Sequence, residues 1–368
     1  MPSSVSEPLA EHIRSLIAQR GGWLPFDDFM QAALYTPGLG YYANSLQKFG
    51  RMPSSGSDFV TAPELSPLFG QCLARQIAQV LPAVEASGGK ACVYEFGAGS
   101  GELALQICEH LDNISCRPEQ YFIIELSAEL RARQQEKLKA FAGHITWLAE
   151  LPDAMQGVVI GNEVLDAMPV KLIQRKQGAW HERGVMDTTA GFAWQDRLTD
   201  LRPPLDIPGP HDYLTEIHPQ PEAFLRTLAE KLTLGAAFFI DYGFPEAEYY
   251  HPQRHMGTLM THSLHTASID PLTRVGQQDI TAHVNFTGCA LAAQDAGLDV
   301  LGYCTQGRFL LNTGFLELAE QLPALKRSAT AKLINEHEMG ELFKVLALGK
   351  GLDLEPIGFL QGDRSHTL

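Results

Sequence analysis

The stretch Val93-Tyr94-Glu95-Phe96-Gly97-Ala98-Gly99-Ser100-Gly101-Glu102 constrains this chain more than any other. Its first half reads as a buried strand from Ala91 to Phe96. Its end opens a helix that carries Leu103, Ile107 and Leu111 on one face, at i, i+4 and i+8. Between them stand three glycines in five residues. Glycine accepts the backbone that a tight strand-to-helix turn demands, and its missing Cβ lets a ligand lie against the main chain. The first amides of the following helix then point at that ligand.

Two ligands suit such a turn, a dinucleotide and S-adenosylmethionine. The dinucleotide fingerprint is Gly-x-Gly-x-x-Gly. Here Gly101 comes one residue early, and Glu102 would face a pyrophosphate at the helix start, which is electrostatically poor. Glu95 sits two residues before the first glycine, and acid-x-Gly-x-Gly-x-Gly resembles motif I of the seven-strand methyltransferases. The plain alternative is a glycine turn that only packs strand on helix.

The chain has 368 residues, enough for one large domain with insertions or for two domains. Hydrophobic residues at 45% and charged residues at 19% describe a globular protein with a large core. The six cysteines show no paired metal spacing, and a reducing compartment, the cytoplasm, is the simple expectation. A balance of 28 basic against 43 acidic side chains gives −15. Such a surface repels a phosphate backbone, so nucleic acid is not an expected partner, whereas a cationic ligand or basic protein segment is. No apolar run reaches transmembrane length. The N-terminus has no signal-peptide core, and Glu7 and Glu11 argue against a transit peptide.

Along the chain, Leu9, Ile13, Leu16 and Ile17 predict an amphipathic helix, and Phe26, Phe29, Met30 and Ala33 predict another. Residues 51–58 read as a surface loop, and 61–70 lead into a helix running to about Val80. Residues 1–85 are thus expected to form a helical cap, and a lid over the cofactor if functional. From Ala91 strands and helices alternate, which means a parallel sheet with helices on its faces. The strands are 91–96, 120–125, 145–148, 157–161 and 236–240, and Ser127 is placed as the N-cap of a helix to Ala140. Between the last two lies an excursion too long for a plain crossover. It holds three antiparallel strands near 170–175, 180–185 and 192–198, a Pro-rich connection and a helix from Pro221 to Leu232. Residues 243–274 read as a long polar loop, 279–295 as a helix, 300–305 as a strand, 309–336 as mostly helical and 343–348 as a final strand. The core therefore spans 86–350 with an insertion at about 170–220, and 351–368 is a tail.

Three sets of residues can carry chemistry. Glu125 ends the second strand, where a carboxylate can accept both hydroxyls of a ribose or simply cap the next helix. Asn162, Glu163 and Asp166 follow the fourth strand. Asn162 can bond the cofactor. Glu163 and Asp166, three apart, would share a face of a helical turn and grip a guanidinium in a fork, or merely cap a turn ended by Pro169. Tyr242, after Asp241 on the same rim, can line an acceptor pocket. His251, His255, His262, His265 and His283 invite a metal reading, but no Cys pairing or HExxH pattern accompanies them, and no metal is expected. A His general base, His283, or plain loop residues fit better. Ser100 is not a nucleophile elbow, because Ala98 stands where glycine is needed, and no Walker A pattern occurs.

Taken together, these residues resemble the MidA family of class I S-adenosylmethionine-dependent methyltransferases, whose mitochondrial members are complex I assembly factors. The resembling segments are 58–66, Glu95 to Gly101, 124–127, Asn162-Glu163-x-x-Asp166-Ala167-x-Pro169, Ile240 to Gly243, 257–259, Asp279 to Phe286, 305–310 and 343–346, over roughly residues 10 to 350. The resemblance implies a seven-strand Rossmann-like core with an N-terminal cap and an inserted β-containing subdomain. It implies S-adenosylmethionine as cofactor, with contacts from Thr61, Pro63, Glu95, Gly97, Ala98, Gly99, Gly101, Glu125, Leu126 and Asn162. It further implies transfer to arginine on a protein, with a respiratory-complex subunit as the expected substrate class, and with Glu163, Asp166, Asn162 and His283 around the acceptor. Two other functions fit the same letters: an assembly factor that binds a partner protein, and a small-molecule O- or N-methyltransferase.

Overall fold

The computed structural model describes residues 6–44, 61–263, 266–268 and 270–368; the expected loop at 51–58 and His265 lie outside them. Helices α1 (Ser6–Gln19) and α2 (Phe26–Tyr35) flank a two-residue strand, β1 (Leu24–Pro25). Then α3 (Ala62–Leu65) and α4 (Pro67–Ala86) lead to β2 (Cys92–Phe96), α5 (Glu102–Asn113), β3 (Gln120–Ile124), α6 (Ala128–Lys137), β4 (Ile145–Leu148) and β5 (Met155–Asn162). The excursion holds β6 (Lys171–Lys176), β7 (Ala179–Thr188), β8 (Gly191–Leu198) and β9 (Tyr213–Ile217), and returns through α7 (Pro219–Lys231) to β10 (Leu232–Phe244). After α8 (Glu246–Tyr249) come the short strands β11 (Met260–Ser263), β12 (Thr266–Ser268), β13 (Asp279–Thr281) and β14 (Val284–Asn285). The chain closes with α9 (Phe286–Asp295), β15 (Asp299–Thr305), α10 (Gln306–Asn312), α11 (Phe315–Glu320), α12 (Ala324–Thr330), α13 (Met339–Leu342) and β16 (Phe343–Lys350).

The main sheet runs β15-β16-β10-β5-β2-β3-β4, with β14 added beside β10. Strands β10, β5, β2, β3 and β4 are parallel, and β16 is antiparallel to both neighbours. This is the seven-strand Rossmann-like order. The chain moves outward from β2 to β4 and then returns to β5, so a crevice opens at the carboxyl ends of β2 and β5, where such sheets bind ligands.

Successive strand residues point to opposite faces. Phe238 and Val158 pack under α4 and α5, whereas Phe239 and Val159 pack under α7 and α9. The excursion forms an antiparallel sheet, β1-β7-β6-β9 with β8 also on β7. Helices α1 and α2 bury Leu9, Ile13, Phe26 and Phe29 against its Leu172 and Val185. So residues 6–35 share a core with the insertion, while α4 lies on the main sheet. Beyond β16 the chain packs back: Gly358 N donates to Gln76 Oε1 at 2.9 Å, and Phe359 enters the core under α4. Among the described residues no helix is long and apolar enough to cross a membrane.

Two stretches depart from the expected pattern. Residues 279–295 are helical only from Phe286; Asn285 caps that helix through Gly288 N at 3.2 Å. Before it, Ile280 and Thr281 are β-branched and pair with β11, and this tertiary pairing overrides the helical periodicity. Strand β9 was not foreseen, because Tyr213–Ile217 is short and follows a Pro-rich run; its pairing with β6 makes it a strand. The expected loop at 243–274 also contains α8 and short strands.

Candidate active site

Gly97, Gly99 and Gly101 have φ of +64°, +51° and +77°, a left-handed backbone that L side chains rarely adopt. The turn ends at Gly101, the N-cap of α5. Above it opens a cavity of about 1100 Å³, over the carboxyl ends of β2, β3, β5 and β10 and under residues of α2 and its following turn. Its described lining includes Thr61, Pro63, Glu95, Gly97, Ala98 and Gly99, then Glu125, Leu126, Asn162, Glu163 and Asp166. Two expected residues are not part of that lining, Gly101 and His283. Gly101 serves the turn instead: a Cβ there would sit 3.4 Å from Gln134 Cγ, so glycine brings α6 close.

One side of the cavity suits a nucleoside. Glu125 Oε1 accepts from Ser127 N at 2.8 Å and Oε2 from Gln134 Nε2 at 3.1 Å. Burial raises its carboxyl, and these hydrogen bonds pull the other way. Leu126 beside it is 78% exposed, an apolar platform facing the opening. Gln134 was missed by sequence reasoning. Fully buried on a polar helix, it also donates to Gly99 O at 3.0 Å and accepts from Trp147 Nε1 at 2.9 Å, so it ties the glycine turn to Glu125. Beneath the turn, Glu95 accepts from Tyr121 Oη at 2.7 Å, and burial pushes its carboxyl up to about 7.

The other side is acidic. Glu163 N donates to Ile240 O at 2.9 Å, and the residue then adopts φ +54°, so Glu163 and Asp166 do not lie on a helical turn as expected. The turn is shaped by Asp241, whose Oδ2 accepts from the amides of Val164, Leu165 and Asp166 at 2.9–3.2 Å. Both carboxylates still face the same cavity. Burial, then the charge of Asp166, pushes the Glu163 carboxyl up to about 8; Asn162 and the Ala62 amide hydrogen-bond it and oppose the rise. Burial pushes Asp166 up to about 6, against a hydrogen bond from Tyr242. Asp241 is pushed up by burial and by its two acidic neighbours, against its amide hydrogen bonds.

Tyr35, Tyr42 and Asp279, which sequence reasoning did not single out as site residues, complete this end. The Tyr35 and Tyr42 rings stack with centroids 5.5 Å apart, and the Tyr35 hydroxyl donates to Ala167 O at 2.9 Å. The paired tyrosines after the Thr36-Pro37-Gly38 turn were the available signal.

His283 is displaced from its expected role. It stacks on Phe244 at 5.3 Å with Tyr242 at 5.2 Å, and burial lowers its ring to about 4. Tyr242 lines the cavity in front of it. Among the described residues, no group of three or more His, Cys, Asp or Glu side chains is placed to hold a metal ion.

The cavity fits S-adenosylmethionine on two structural grounds. The left-handed glycine turn leaves the main chain open to a ligand, and the buried Asn162 Oδ1, which lines the cavity, has no hydrogen-bond partner in the protein and so offers an acceptor. Glu125 would hold the ribose, Leu126 the adenine face, and Asn162 with the glycine turn the methionine part. Fold and site together define a class I S-adenosylmethionine-dependent methyltransferase.

Comparison with known proteins agrees. A family model described as "Putative S-adenosyl-L-methionine-dependent methyltransferase" matches residues 72–304, and the chain belongs to that family, as its resemblance to the MidA proteins implied. A Burkholderia thailandensis protein, a COG1565 superfamily member solved bound to S-adenosyl-homocysteine, is 47% identical, with a TM-score of 0.94 over 100% of this chain and 99% of that one. Curated relatives are more distant. The Drosophila melanogaster protein named "Protein arginine methyltransferase NDUFAF7 homolog, mitochondrial" is 27% identical over 94% of this chain and 85% of its own length. The Homo sapiens protein arginine methyltransferase NDUFAF7 is 25% identical over 93% and 83%.

Proposed function

We propose that this methyltransferase acts on a guanidinium nitrogen of arginine in a protein substrate. The observation that carries this reading is the acidic end of the cavity. Glu163 and Asp166 face it together, and the buried Asp166 Oδ1 has no partner in the protein. A planar cation with several N–H donors fills such a fork better than a neutral hydroxyl, because buried carboxylates left unpaired are costly. The names of the curated relatives point the same way.

S-adenosylmethionine, when bound, supplies an electrophilic methyl carbon on a sulfonium sulfur. The chain's residues do the rest. Glu163 and Asp166 orient one guanidinium nitrogen toward that carbon. A nitrogen–carbon bond forms as the carbon–sulfur bond breaks, and the nitrogen then gives up a proton. Carboxyls poised at about 6 and about 8 suit its acceptance, so Asp166 and Glu163 replace His283 as the candidate bases. A respiratory-complex subunit is the first substrate class to try, following the resemblance to complex I assembly factors. We place the reaction in the cytoplasm, in keeping with six cysteines that are all free thiols.

The test is to incubate the protein with methyl-labelled S-adenosylmethionine and protein extracts, hydrolyse the labelled products and identify the amino acid. Methylarginine, formed by the wild type and not by Glu163→Gln, is expected. Label on lysine, on a hydroxyl or on a small molecule overturns the reading.

A further inference from the structure

The short segment around α3 touches both halves of the site. On one side, Thr61 and Pro63, which flank Ala62, line the cavity together with Glu163, and the Ala62 backbone favours the charged form of that carboxyl. On the other, Glu64 is buried and its Oε1 accepts from the Ser100 hydroxyl, within the cofactor turn itself. Pro63 is held as well: Gln106 Nε2 from α5 donates to Pro63 O at 2.8 Å and to Glu102 Oε1 at 3.3 Å. Lys137 of α6 closes the circuit, reaching Glu102 Oε2 at 2.8 Å and Ser100 Oγ at 3.4 Å. The segment is therefore bonded to α5 through Pro63 and to the glycine turn through Glu64, and it lines the cavity beside Glu163.

We propose that this segment is a clamp that couples the cofactor turn to Glu163, with Glu64 and Ser100 as its positioning pair. Ser100 lines the cavity, so a ligand seated on the glycine turn orders the partner that Glu64 grips. Glu64 and Ala62 are two residues apart in one short turn, so fixing one fixes the other. Cofactor binding thus sets the direction of the Glu163 carboxylate before the acceptor arrives. Linkage makes the coupling reciprocal: whatever loosens the clamp weakens the cofactor. The idea rests on the cofactor, which the family shares, and is independent of which acceptor is used.

The experiment uses the full-length protein with S-adenosylhomocysteine as probe, so it needs no substrate. Hydrogen exchange at residues 61–66 and calorimetric affinity are measured for wild type, Glu64→Gln, Ser100→Ala and the double variant. In the wild type the ligand is expected to slow exchange at 61–66. Each single change weakens affinity about tenfold, the usual size for a hydrogen bond to a charged group, and abolishes the ligand-dependent protection. The double variant is no weaker than either single one, because the two groups act through each other. The melting temperatures of the ligand-free proteins fall by no more than the loss of one hydrogen bond to a buried charged group entails. Unchanged affinity and protection, additive losses in the double variant, or a fall in melting temperature with affinity intact would each overturn the proposal, the last by reducing Glu64 to a packing residue.

Discussion

The Tyr42 hydroxyl lies 2.9 Å from both carboxylate oxygens of Asp279, 237 residues further along the chain. An N-terminal side chain and one from β13 therefore close the same end of the cavity. Tyr42→Phe removes the phenol and keeps the ring. A hydrogen bond to a charged group contributes about 1.5–3 kcal/mol, so the urea midpoint of the variant should fall correspondingly. An unchanged midpoint would mean that the bond adds nothing to the seating of these residues.

Asp241 shapes the acidic turn by accepting three consecutive amides. Asp241→Ala leaves those buried donors unsatisfied, at roughly 1–3 kcal/mol each. The turn then loses its form, and displacement of catalytic groups by about 1 Å can reduce turnover on the order of a hundredfold. Methyl transfer should fall at least that far, while S-adenosylhomocysteine still binds. Equal loss of both would show that Asp241 supports the whole crevice rather than the turn.

Gly99→Val should abolish cofactor binding. The backbone there has φ +51°, which disfavours a side chain by about 1–2 kcal/mol, and a branched one fills the space a ligand needs. Calorimetry with S-adenosylmethionine and S-adenosylhomocysteine checks this, with NAD as the control. Tight binding by the variant would count against the role assigned to the turn.

The raised carboxyls predict opposite pH trends for activity and stability. Catalytic efficiency should climb from about pH 6 to about pH 8, as Asp166 and then Glu163 ionise. Stability should fall over the same range. The Glu163 carboxyl lies near 8 in the folded protein against 4.5 when unperturbed, so its protonated form favours the fold. That contribution is complete below about 4.5 and lost as pH rises through about 8. Glu163→Gln should flatten the melting-temperature profile and cut turnover, while cofactor affinity stays near wild type. Unaltered turnover would remove Glu163 from the chemistry.

Much of the cofactor side was legible in the sequence, because it is local. Gly97 to Gly101 and Glu125 each stand at the end of a strand whose apolar run marks it, and the parallel sheet brings such ends together. The acceptor side was only half legible. Asn162, Glu163 and Asp166 follow a strand, but the helical turn expected for them is replaced by the left-handed Glu163 and the Asp241 nest. His283 looked available in a polar stretch, yet the fold stacks it on Phe244 behind Tyr242. Nothing in the spacing of Tyr42 and Asp279 connects them.

The sequence by itself determined the strand–turn–helix, the parallel alternation of strands and helices it starts and the chemistry a glycine turn with strand-end acids can hold. These depend on backbone freedom and periodicity, which a few neighbouring residues set. The tertiary structure alone decided that α1 and α2 share a core with the inserted sheet, that β9 and β13 are strands, and that α3 is bonded to Ser100 and lines the cavity beside Glu163. Those outcomes depend on long-range pairing and burial, whose partners lie tens to hundreds of residues away and leave no local mark.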